Sequence, residues 1–201
     1  MKNTIKNSKK GILMVTMFAT LLSFANDVSL FNIKNEAKRT SLTLLNVKQG
    51  NLLSVKDVNG IVLYKELIQE SGNYTKGFDL TALPDGNYIF ELDKDMEIRT
   101  IPFTVSSNMV LFDKESETTI YKPMFVVKEN LLLLTKLALN EAPLNIKIYF
   151  LGHGGEKLMY SENIENTKSI QKAYKLEGLK YGSYKIICTS DGRVFTKEIN
   201  I

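Results

Sequence analysis

Few side chains in this chain have the chemistry for catalysis, and their surroundings decide what they can do. His153 is the only histidine of the 201 residues and Cys188 the only cysteine. A serine or cysteine nucleophile needs a base within hydrogen-bond reach, so any such pair would have to use His153. That residue sits in the glycine-rich turn Gly152-His153-Gly154-Gly155, no Gly-x-Ser-x-Gly elbow is present, and Cys188 lies inside an apolar run that reads as a strand. His153 therefore reads as an exposed turn residue and Cys188 as a buried, unreactive thiol. A zinc site needs three or four ligands, which one histidine and one cysteine cannot supply. Asp93-Lys94-Asp95-Met96-Glu97 places carboxylates at alternate positions, a pattern that suits calcium, although a solvated hairpin turn is the plainer reading. Asp57-Val58-Asn59-Gly60 opens like a calcium loop, but its glycine comes too early and no glutamate follows at the required distance. There is no tryptophan for a sugar platform; Tyr74, Tyr121 and Tyr181 are the tyrosines expected in loops or linkers. The sequon Asn73-Tyr74-Thr75 matters only in a glycosylating host. The expectation is no catalytic residue, no cofactor and no metal: not an enzyme.

The elements that position these residues are written twice. Phe78-Asp-Leu-Thr-Ala-Leu-Pro-Asp-Gly-Asn-Tyr88 recurs 96 residues on as Tyr174-Lys-Leu-Glu-Gly-Leu-Lys-Tyr-Gly-Ser-Tyr184. At that offset Leu80 matches Leu176, Gly86 matches Gly182, Tyr88 matches Tyr184, and Tyr64, Glu66 and Ile68 match Tyr160, Glu162 and Ile164. A repeat of this length is a domain rather than a solenoid unit. Turn signals recur at short intervals, and the runs between them are rich in Val, Ile, Leu, Tyr and Phe and too short for helices, as in an all-β sandwich. Asn59-Gly60, the strongest of these signals, predicts a two-residue hairpin turn between strands near 51–57 and 61–68. Alternation in Tyr88-Ile-Phe-Glu-Leu92, in Ile101-Pro-Phe-Thr-Val105 and at Tyr184, Ile186 and Cys188 marks one buried face per strand. The repeated Leu-x-x-Gly-x-Tyr predicts a tyrosine corner, with Gly86 and Gly182 supplying unusual backbone angles and the Tyr88 and Tyr184 hydroxyls bonding the preceding loop. Gly86, Tyr88, Gly182, Tyr184, Asn59 and Gly60 are thus structural residues. Asn130–Leu139 has helix-forming composition, but its repeat partner at 38–44 alternates, so both are expected as strands; the surplus leucines then lie on both faces and hint at contact with the first copy or with a partner.

The first 25 residues form a separate object. Lys2, Lys6, Lys9 and Lys10 precede a run of about a dozen apolar residues and then Ser23-Phe24-Ala25, a pattern that predicts a signal peptide cleaved after Ala25, too short in its apolar part to span a bilayer. The chain carries 26 Lys+Arg against 22 Asp+Glu; without the four leader lysines it balances at 22 of each. A neutral chain with no basic stripe lacks the field that draws nucleic acid. The domain reading is a signal peptide at 1–25, module one at 26–105, a linker at 106–120 and module two at 121–201.

The order of a strand, a turn at Gly60 or Gly155, a strand bearing Tyr-x-Glu-x-Ile, the Leu-x-x-Gly-x-Tyr corner and a closing hairpin resembles the immunoglobulin-like sandwiches that serve as C-terminal sorting domains of the type IX secretion system in Bacteroidota-type bacteria, and related small secreted sandwiches. The resemblance covers about 55 residues of each copy. It implies two tandem immunoglobulin-like, fibronectin III-like sandwiches in an exported protein of the periplasm or cell surface, non-catalytic, acting as a binding or structural module on a protein or cell-envelope partner. An alternative that it implies is a secretion cargo whose second module is the sorting signal.

Overall fold

The computed structural model describes residues 31–36, 39–152, 154–176 and 183–200. The segment expected as a signal peptide, His153, Tyr181 and Gly182 lie outside the described residues. Everything described is strand, turn or loop apart from a single 3-10 turn at Leu80–Ala82.

The first copy forms two antiparallel sheets. One has the order β1 (Phe31–Glu36), β2 (Arg39–Val47), β5 (Gly72–Phe78). The other runs β4 (Val62–Leu67), β3 (Leu52–Asp57), β6 (Gly86–Asp93), β7 (Glu97–Ser106), β8 (Met109–Phe112). The second copy repeats this order, with β10 (Met124–Lys128), β11 (Leu131–Leu137), β14 (Ser169–Lys175) facing β13 (Gly155–Ile164), β12 (Leu144–Gly152), β15 (Ser183–Ser190), β16 (Arg193–Asn200). Strands one, two and five against four, three, six and seven is the connectivity of a fibronectin III-like sandwich. The protein is all-β, with two such sandwiches in tandem.

Each sandwich owns its core. Leu42, Leu44, Leu53, Val55, Phe90, Leu92, Ile101 and Phe103 are among the buried residues of the first, and Leu132, Leu134, Leu144, Ile146, Ile148, Ile186 and Cys188 among those of the second, with no residue shared. Full burial of such side chains contributes about 1.5–3 kcal/mol each, and no disulfide assists them. Asn130–Leu139 is resolved by packing: β11 alternates, its even leucines inward, while Leu131, Leu133 and Leu137 face out.

The turns differ in part from expectation. Between β3 and β4 only Gly60 takes a left-handed φ, +81°, and the Asp57 carboxylate accepts the backbone N–H groups of Asn59 (2.9 Å) and Ile61 (2.8 Å). Asp57 thus organises a wider turn than the two-residue form. The two-residue turns with both central φ values positive are Ser107-Asn108, joining β7 to β8, and Asp191-Gly192, joining β15 to β16. Within 106–121, β8 and β9 (Thr118–Tyr121) both hydrogen-bond to β7, β8 along its second half and β9 along its first.

Candidate functional site

Those of the residues singled out for chemistry that lie among the described residues have structural roles. Cys188 is fully buried, and burial pushes its thiol up to about 12, so it stays protonated at neutral pH. Each carboxylate of the candidate calcium turn has a cation: Asp93 pairs with Lys122, Asp95 with Lys48 (3.5 Å), and Glu97 with Lys94 (3.0 Å) and Arg99 (3.2 Å). The Tyr88 hydroxyl donates to the Pro84 carbonyl at 2.7 Å, and its ring lies 5.4 Å from that of Phe103. Gly86 is not left-handed; a Cβ there would lie 3.5 Å from Tyr88 Oη, an ordinary contact, so its expected unusual backbone is absent. Tyr184 is buried against Phe150. Tyr74 lies in β5 and packs half-buried against the first core rather than in a loop.

The repeated Tyr-x-Glu-x-Ile explains itself on the open side of each sandwich. Glu66 of β4 accepts hydrogen bonds from Tyr64 and from Lys76 of β5, thereby tying one sheet to the other. In the second copy Glu162 of β13 accepts from Lys172 of β14 and, at 2.9 Å, from the Tyr174 hydroxyl. The aromatic partners are kept as well, with Tyr64–Phe78 centroids at 5.3 Å and Tyr160–Tyr174 at 5.5 Å. The hydrogen bonds from Lys76 and Lys172 hold the two glutamate carboxyls below the usual range, and burial pushes Tyr74 up to about 12. These clasps are charge-assisted and ionised at neutral pH.

Beside each clasp sits an identical irregularity. Val55 pairs with Tyr64 and Lys56 with Val62, so Leu63 is an extra residue; Ile148 pairs with Tyr160 and Tyr149 with Leu158, so Met159 is its counterpart. Such bulges interrupt regular pairing and re-aim side chains. The residues re-aimed here are apolar and open to solvent: Val62 and Leu63 are 47% and 46% exposed, Leu158 and Met159 49% and 48%. Matching exposure in two copies at 96 residues' separation marks a surface that core packing does not require. In the second copy Met159 and Tyr160 border a groove of about 500 Å³ with Glu162, Tyr174 and Tyr184. The Tyr and Glu were legible in the sequence as repeated letters; the bulge was not, since its signal is a pairing offset.

No protein-family model matches the chain, and no curated protein does. Solved structures similar to it include two of low identity. One is a biofilm-associated protein BSP domain, 12% identical, with a TM-score of 0.26, covering 85% of this chain and 29% of its own. The other comprises the FN1–FN3 domains of chicken CNTN1, 9% identical, with a TM-score of 0.28, covering 84% and 65%. The chain thus spans less than two thirds of either neighbour's length, and the fold class rests on its own strand order.

Proposed function

We propose that this is a non-catalytic, exported binding protein whose two sandwiches present the same bulged edge, Val62-Leu63 and Leu158-Met159, to a cell-envelope protein. The repetition of that exposed apolar pair carries the reading, because a fold keeps buried residues for stability but gains nothing from solvent-facing leucine and methionine. The bulge also argues against strand addition, so recognition is by side chains. Export rests on the basic, apolar and small-residue order of residues 1–25. Among the described residues no helix is long and apolar enough to cross a membrane. A sorting role for the second module finds less support: its Leu-x-x-Gly-x-Tyr motif has a twin in the first module, where the Tyr88–Pro84 bond serves the fold.

Cell fractionation followed by co-sedimentation of the purified protein with isolated envelopes tests the reading. The expected result is a periplasmic or surface location and saturable, protease-sensitive binding to envelopes. A cytoplasmic location, or no binding to protease-untreated envelopes, would overturn it. An exported reporter fused to residues 119–201 should stay in the periplasm, whereas the sorting reading requires that it reach the cell surface.

A further inference from the structure

On the sheet formed by β4, β3, β6 and β7, alternation assigns Phe90 and Leu92 to the core and Glu91 to the outer face. An outward glutamate in a free sandwich would be solvated, yet Glu91 is only 6% exposed. Ile98 is also outward, lying opposite Asp93 on β7, and is 3% exposed although it belongs to neither core. Something covers this face. The structure shows what reaches it: Arg193, at the start of β16 in the second sandwich, donates to one Glu91 oxygen while Lys56 donates to the other at 2.7 Å.

The turn that carries Arg193 is held from behind. Asp191 accepts hydrogen bonds from Asn140 (2.8 Å), Ser190 (3.1 Å) and Lys136 (3.2 Å), and the Lys136 side chain is 1% exposed. The chain also enters the second sandwich from a fixed point, because β9 is in the first sandwich's sheet, Lys122 pairs with Asp93, and the Lys122 N–H donates to the Met96 carbonyl at 2.9 Å. The repeat supplies a control: the position equivalent to Glu91 is Ile187, so a carboxylate there is no requirement of the fold.

We propose that the outer face of the β3–β6–β7 sheet is the seat of the second sandwich's Asp191–Arg193 turn, and that the Glu91–Arg193 contact makes the two sandwiches one rigid body. A carboxylate taken out of water needs its partners, so loss of Arg193 leaves Glu91 seeking solvent and the seat open. The two bulged edges are then held at one spacing and one angle.

Residual dipolar couplings of the full chain test this directly. In the wild type a single alignment tensor should fit both sandwiches; in Arg193→Gln each sandwich should still fit a tensor, but the two should differ in orientation or magnitude. Lys197→Gln, further along the same strand, should leave the single tensor intact. Two tensors in the wild type would overturn the proposal, as would one shared tensor in Arg193→Gln. Should that variant not fold, Glu91→Gln is read in the same way.

Discussion

At the residue scale, the hydroxyl of Tyr88 and the thiol of Cys188 give the sharpest expectations. Tyr88→Phe removes one buried hydrogen bond to Pro84 and should cost about 1 kcal/mol in urea unfolding, with an unchanged slope. An unaltered midpoint would remove the corner from the account. Cys188 should resist a thiol reagent at pH 8 in the native state and react at once in denaturant, because a buried thiol with a raised pKa offers almost no thiolate. Titration behaviour follows from the carboxylates. Glu66 and Glu162 are held low by their lysines; Glu91 is pushed up by burial and pulled down further by Arg193 and Lys56, with a net lowering. A folded pKa below the unfolded value of 4.5 adds stability that is fully present above that value and lost as pH falls through the folded one. Thermal unfolding should therefore be insensitive to pH between about 6 and 8 and weaken below about 4.5. A stability that rose on acidification would contradict the ionised clasps.

At the element scale, β11 separates what a sandwich needs from what this chain adds. Leu134 points into the core and Leu133 away from it, so Leu134→Ala should cost about 2–5 kcal/mol while Leu133→Ser stays within about 0.5 kcal/mol. Equal effects on the unfolding midpoint would mean that the strand register is wrong. Strand existence and inward faces were legible from alternation and from the repeat, which overrode the helical composition of Asn130–Leu139. The turns were less so. Asn59-Gly60 has the right letters for a two-residue turn, but the Asp57 carboxylate captures two backbone N–H groups and widens it, whereas Ser107-Asn108, in the stretch that reads as a linker, takes the tight form. Local side-chain capture competes with dipeptide preference, and a sequence does not say which wins. The bulges at Leu63 and Met159 are not legible in the sequence for a related reason: an extra residue is defined by its partner strand.

At the scale of the whole molecule, duplication has kept two things, the Leu-x-x-Gly-x-Tyr sequence, which in the first copy forms a corner that serves the fold, and an exposed apolar edge that the fold does not need. The stretch between the copies was legible only as polar; its pairing to β7 depends on an edge supplied by residues far back in the chain. The central claim, that the repeated edge is what this protein uses, is tested most directly by carrying Leu63→Asp and Met159→Asp, singly and together, through the envelope co-sedimentation assay. Both sites are exposed, so thermal stability should change little. Each single variant should bind more weakly than wild type and the double variant should remain in the supernatant. A correctly folded double variant that sediments with envelopes as fully as the wild type would contradict the account.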